Sequence, residues 1–285
     1  MMNEKSILPV LKASSNKLFA LLRCVREHPF DRDGLREAVL ELYPGRDEKS
    51  VFRGMVVPTL RRLGLIIGYE QSIRLSANGM LVVTAVDRSE SEGLRALRAI
   101  LLEIDQATGC FVEQLKQGGA MPIKEFQKAQ ASRVEAPSRK QSFERVRDWT
   151  AYLLYAGLIC AKNEFLQVHS SNVRQAYTDL DPTSKTDFFK HFLLAGYKDL
   201  VQHQLGIRSI DIEALRQRVA LMAYEAESAV VTEKQFDTLL RALPHITSEY
   251  TITFGRSMGP EEKLFTLGGK YYQTISIRFA GGEMA

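Results

Sequence analysis

The stretch "SRKQSFERVR", residues 138–147, gathers Arg139, Lys140, Gln141, Ser142, Arg145 and Arg147 around a single acid, Glu144. Lysine and arginine neutralise phosphates, and Gln, Ser and Arg side chains also hydrogen-bond base edges. The chemistry implied is a grip on a polyanion rather than the making of bonds. A sparser set has the same character. Lys49, Ser50 and Arg53 are spaced to share one helix face. Arg61 and Arg62 follow, while Gln71, beside Tyr69 and Ser72, and Lys162, beside Asn163, lie in polar breaks between apolar runs. A plainer reading stands beside each: a basic helix face is often only a solvated face, and Arg61-Arg62 also suit the negative end of a helix.

Residues for covalent or metal chemistry do not come at useful spacings. His28, His169, His191, His203 and His245 are scattered. "LGGK" at 267–270 lacks the spacing of a phosphate loop, and no GxSxG elbow occurs. Cys24, Cys110 and Cys160 sit among apolar residues and are expected to be buried free thiols. Asp33 followed by Asp47-Glu48-Lys49 repeats the bare acidic–acidic–lysine outline of the restriction-nuclease fold, and "PEEK" at 260–263 repeats its second half. That chemistry needs carboxylates on adjacent strands to hold Mg²⁺. "LREAVLELY" reads as helix instead, and Asp47 and Lys49 open another. The expectation is a protein without enzymatic activity, metal or cofactor.

The elements that must position the basic residues follow from apolar spacing and breakers. Asn16 is the expected N-cap of "KLFALLRCVREH", which stops at Pro29. "DRDGLREAVLELYPG" gives a second helix. Asp47 opens a third, closed by Gly64 and kinked or interrupted at Pro58. "LIIGY" and "SIRLS" then read as two strands around Glu70-Gln71-Ser72. Residues 89–119 make one long helical segment, followed by a short helix at "MPIKEFQKAQASR" and a turn at "EAPSRKQ". "SFERVRDWTAYLLYAG" is another third helix, its Trp149, Tyr152 and Tyr155 spaced to pack a core, with strands "LICAK" and "FLQVH" after it. A gapless shift pairs Leu60, Gly64, Leu65 and Ile66 with Leu153, Gly157, Leu158 and Ile159. The last third offers helices capped near Ser184 and by Asp211, a third ended at Pro244, and strands "EYTITFGR" and "KYYQTISIRF".

Three helices and a two-stranded hairpin over residues 16–85, closed by "RLSANGMLVV", resemble the winged-helix variant of the helix-turn-helix. The resemblance implies a mainly α fold with small antiparallel β-wings, as two or three tandem modules joined by a long helical segment. The modules would span 1–88, 89–175 and 176–285. In such modules the third helix enters the major groove and the wing touches backbone or minor groove. That makes double-stranded DNA the expected partner of Lys49, Ser50, Arg53, Arg61, Arg62, Gln71, Arg139, Lys140, Gln141, Ser142, Arg145, Arg147 and Lys162. Proteins of this style serve as regulators or accessory subunits of bacterial DNA-transacting or defence systems. Winged helices also act as protein-interaction scaffolds, and that alternative stays open.

The bulk composition agrees with a globular chain. Of 285 residues, 45% are hydrophobic and 25% charged, and the net charge is +4. Residues 1–90 and 91–175 each carry +3 and residues 176–285 carry −2. A polyanion therefore suits the first two thirds, and a homodimer or protein partner the last. No apolar run is long enough to cross a bilayer and no signal-peptide core is seen at the start, so a cytoplasmic protein without a membrane partner is expected.

Overall fold

The computed structural model describes residues 8, 10–104, 106–182, 185–202, 209–256 and 263–280. The fold is mainly helical with small antiparallel sheets. Helices α1 (Leu18–Glu27) and α2 (Arg32–Glu41) lead to a π-helical stretch, Lys49–Val56, that continues as α3 (Val57–Arg62). Strands β1 (Ile66–Ile67) and β2 (Arg74–Leu75) follow, then α4 (Ala77–Arg88), α5 (Glu90–Ile104) and α6 (Gln106–Gly118). Next come β3 (Met121–Pro122), α7 (Ile123–Ala131), α8 (Arg139–Ala156), β4 (Ile159–Lys162), β5 (Phe165–Val168) and α9 (Ser170–Leu180). The chain continues through α10 (Thr186–Gln202), β6 (Ile210–Asp211), α11 (Ile212–Glu227), α12 (Glu233–Ala242), β7 (Tyr250–Arg256), β8 (Phe265–Leu267) and β9 (Lys270–Phe279).

These elements form two compact units. The first comprises the residues up to Leu75 together with Val82–Thr178, and the second Ser76–Leu81 with the residues from Asp179 onward. One succession of elements occurs in both. From α6 to β5 the chain runs helix, strand, helix, helix, strand, strand, with sheet order β3-β5-β4. From α10 to β9 it runs the same way, with order β6-β9-β7 and β8 added on β9. The stretch from α1 to β2 repeats it without the first strand, pairing Ile66 with Leu75 and Ile67 with Arg74.

Local chemistry explains most boundaries in the first unit. The Asp31 side chain accepts the Gly34 N–H at 3.0 Å and starts α2, while Asp47 accepts the Ser50 N–H at 2.8 Å. Asn16 caps nothing: it lies in a 3₁₀ turn, Ser15–Lys17, that leads into α1 without a side-chain cap. Pro58 lies inside this continuous helical run, just after the change from π to α geometry, and its missing N–H leaves a gap in the hydrogen-bond ladder, the interruption expected there. Gly64 and Gly157 end their helices at φ +64° and +72°, the left-handed region that glycine enters without strain. The segment expected as one long helix is helical over Glu90–Ile104 and Gln106–Gly118, and Asp105 between them lies outside the described residues. The core holds Trp149 and Tyr152 as expected. The Trp149 indole N–H donates to Thr108 Oγ1 at 2.9 Å, and the Tyr152 hydroxyl to the Ala13 carbonyl at 3.0 Å. Burial holds the Tyr152 hydroxyl far above its ordinary pKa, so it stays a proton donor.

The second unit is built around Phe189, Leu193, Leu215, Val219, Phe236, Leu240, Phe265 and Ile275. Asp211 accepts the Glu213 N–H at 2.8 Å and starts α11; the expected cap at Ser184 lies outside the described residues. At the start of α12, Thr232 Oγ1 accepts the Gln235 N–H while Gln235 Oε1 accepts the Thr232 N–H, a capping box. A second exchange lies beside it. The Glu233 N–H donates to Asn78 Oδ1 and the Asn78 N–H to Glu233 Oε1, each at 3.0 Å, while Glu213 Oε1 accepts the Ala77 N–H at 3.0 Å. The N-termini of α4 and α12 thus cap one another. Beneath them Arg216, 3% exposed, pairs with Asp237 at 2.7 Å and Glu213 at 3.2 Å, and Lys263 pairs with Glu233 at 2.6 Å.

Candidate nucleic-acid interface

Pro137 and Ser138 set the start of α8. Ser138 is extended, and its Oγ accepts the Gln141 N–H at 3.2 Å, so the helix begins at Arg139, three residues earlier than the apolar spacing indicates. Arg139, Lys140 and Gln141 stand exposed in the first turn, which contains no acid. The positive end of the dipole of an 18-residue helix therefore meets two further positive charges, an arrangement that is unfavourable unless an anion lies against it. An open cavity of about 910 Å³ lies between the end of α7 and this turn. Lys128, Arg139, Lys140 and Arg147 line it with the ring of Phe143; Glu135 and Glu144 are its acids.

Two of the expected contact residues on α8 are occupied elsewhere. Ser142 is buried, and its hydroxyl donates to the carbonyls of Val134 and Ser138 at 3.3 Å, so it cannot read a base edge. The reason is its place one turn before Val146, on the buried face of α8. Arg145 is half-buried and donates to the carbonyls of Glu135 at 2.9 Å and Leu8 at 3.4 Å, fastening loops rather than facing outward. Arg147 is exposed and grips Asp148 at 2.8 Å. Burial nevertheless raises the Asp148 carboxyl above its ordinary range, with Arg147 opposing the shift. Lys162 stands exposed at the β4–β5 tip, where Asn163 and Glu164 turn the chain in two residues at φ +50° and +66°.

The first set divides in the same manner. Lys49, Ser50 and Arg53 are exposed on the π-helical stretch, and Gln71 is exposed in a 3₁₀ turn between β1 and β2. Arg61 is half-buried: it donates to the Gly68 carbonyl and lies 4.4 Å from the centre of the Tyr69 ring. Arg62 donates to the Val10 carbonyl at 2.7 Å. The acids of the nuclease-like outline sit on helices, where Arg36 reaches both Asp33 and Glu48, at 3.2 and 3.5 Å; Glu261 and Glu262 lie outside the described residues. No group of three or more His, Cys, Asp or Glu among the described residues is arranged to hold a metal ion.

The cysteines depart from expectation: Cys110 is exposed, and Cys24 and Cys160 are only half-buried, all three as free thiols. Their apolar neighbours in sequence turn to other sides of the helix or strand. Sequence reasoning also missed Lys128 and Phe143. Lys128 joins the cavity only because α7 and α8 pack together, whereas Phe143 carried a local signal, following Ser142 on a helix whose inward residues are Ser142 and Val146. No helix among the described residues is long and apolar enough to cross a membrane. Comparison with protein-family models, curated proteins and solved structures found no match to this chain.

Proposed function

We propose that the chain is a non-enzymatic double-stranded DNA-binding protein built from tandem winged-helix modules, with the start of α8 as its main grip. The observation that carries this reading is the pair Arg139 and Lys140, exposed at the positive end of α8 with no acid in the turn and with Lys128 and Arg147 lining the same cavity. Such placement lowers the stability of the free protein and is compensated by phosphate. The sheet orders β3-β5-β4 and β6-β9-β7, each with two helices between its first two strands in sequence, support the winged-helix assignment. Lys49, Ser50 and Arg53 supply a second, weaker contact, and two weak contacts on one chain reinforce each other through effective concentration.

The second unit takes a different role in this reading. The N-terminus of α12 is closed by Asn78 and by its own capping box, so residues 176–285 serve a second copy or a protein partner instead of the duplex. The test is fluorescence anisotropy of the full chain with a labelled 20-base-pair random duplex at several salt concentrations. We expect Arg139→Ala with Lys140→Ala to weaken binding at least about tenfold and to flatten the salt slope by roughly two, one phosphate per cation. Equal affinity and equal slope for the two proteins would overturn the assignment and favour a protein-interaction scaffold.

A further inference from the structure

Two aromatic rings stand out of the first unit on adjoining stretches of backbone. Phe30 is 61% exposed and Tyr69 62%. The Phe30 N–H donates to the Ile73 carbonyl at 3.2 Å, which places it beside the loop that carries Tyr69. That loop is rigid by construction. The Ser72 N–H and hydroxyl both donate to the Tyr69 carbonyl at 2.8 Å, and the Tyr69 N–H donates back to Ser72 Oγ at 2.9 Å. Gly68 closes it at φ +83°, where any Cβ would lie 2.0 Å from the Ser72 carbonyl oxygen. Each ring has an arginine over one face, Arg61 at 4.4 Å from the Tyr69 centroid and Arg74 at 5.6 Å from that of Phe30. Phe30 itself holds φ +63°, a strained region for a bulky side chain.

Apolar burial does not explain this arrangement, because both rings face water and the backbone is held so that they do. A protein partner would call for a continuous apolar surface. Separate flat rings with guanidinium groups alongside are instead the device that stacks unpaired bases and holds their phosphates. The acids nearby are Glu70, in the same loop, and Asp31, whose carboxylate accepts the Gly34 N–H and faces His28 at 3.6 Å. We infer that Phe30 and Tyr69, with Arg61 and Arg74, form a stacking platform for unpaired nucleotides, so that the protein prefers a duplex with a single-stranded extension to a blunt one. This rests on the nucleic-acid reading above and adds to it the structure of the strand recognised.

The test compares the full chain on a blunt duplex, the same duplex with a five-thymidine overhang, and the overhang with 2-aminopurine in place of one thymine. We expect the overhang to tighten binding at least about fivefold and 2-aminopurine fluorescence to change on binding. Tyr69→Leu, which keeps an apolar side chain but loses the flat ring, and Phe30→Ala should each remove that gain and leave the blunt-duplex affinity unchanged. Tyr69→Trp should retain it. Thermal melts equal to wild type show that these exposed substitutions leave the fold intact; should one variant melt early, the 2-aminopurine signal of wild type with and without competing oligothymidine decides instead. An overhang that adds nothing, or a gain that survives both Tyr69→Leu and Phe30→Ala, overturns the platform while the duplex reading stands. Overhang binding lost in Tyr69→Leu, without any blunt-duplex affinity, upholds the platform and removes the duplex reading. Absence of binding to every probe overturns both.

Discussion

Helices α8 and α12 hold the same place in the two matching successions, yet their first turns are opposite in chemistry. Arg139 and Lys140 stand in water at the start of α8, with a serine cap and no acid. At the start of α12, Glu233 and the Thr232–Gln235 capping box lie against Asn78, above the Arg216 and Lys263 ion pairs. One end leaves its field open to an anion from outside, and the other is neutralised from within. The same path of the chain therefore ends in an open basic turn in one unit and in a structural joint in the other. What decides is a handful of side chains at the helix start, not the order of strands.

Three changes would break or sharpen that contrast. The largest effect belongs to the joint. Arg216→Ala removes the buried cation shared by Glu213 and Asp237, and we expect the second unit to lose about 3–5 kcal/mol. Hydrogen exchange should show faster opening of β6, α11 and α12 while α7 and α8 keep their protection. Next comes the grip. Arg139→Glu with Lys140→Glu places acids where the dipole favours them, so stability should rise by about 0.3–1 kcal/mol per site even as duplex binding disappears. A variant that loses stability along with binding would show that the two cations hold the fold instead.

The smallest effect is in pH dependence, where Glu213 of the second unit and Asp87 of the first should act with opposite sign. Burial, with the nearby charge of Glu233, raises the Glu213 carboxyl above 4.5, against the pull of Lys263, Arg216 and the Ala77 N–H. Its contribution to stability is therefore full below 4.5 and fades as pH climbs through the raised folded value. The hydrogen bond and charge of Arg26, with Arg23 beyond it, lower the Asp87 carboxyl below 3.8; its contribution is present above 3.8 and is lost as pH falls through the folded value. Asp87 is substantially exposed, so solvent screening limits its share to under about 1 kcal/mol. Urea unfolding from pH 3 to 8 should give a flatter profile above 4.5 for Glu213→Gln and a flatter one below it for Asp87→Asn. Identical profiles would remove the contrast.

How much of this was legible in the sequence depended on the range over which each signal acts. Gly64, Gly157, Asp31 and Asp211 act within a few residues, and the hairpins and helix starts they imply are present. The strands β3 and β6 escaped notice because two residues carry no alternation and gain their identity only by pairing with β5 and β9. The site was half legible. A run of cations marked α8, but which of them face water depends on how the helix is turned, so Ser142 points inward and Arg145 fastens a loop. Tyr69 was marked by its place beside Gln71 in the polar tip, whereas Phe30 gave no sign in the sequence, since an isolated aromatic is more often core.

The exchange between Asn78 and Glu233 joins residues 155 positions apart. During translation Ala77 and Asn78 leave the ribosome long before Glu213 and Glu233 exist, so their N–H groups stay bonded to water through most of synthesis. The second unit can close only after that separation is spanned, at the entropic cost of a long loop. Polypeptides cut short before Glu233 would carry a complete α8 with its cations but an unsealed start to α4. The joint thus forms only in chains that extend past Glu233, which the amide protection of Ala77 and Asn78 would report.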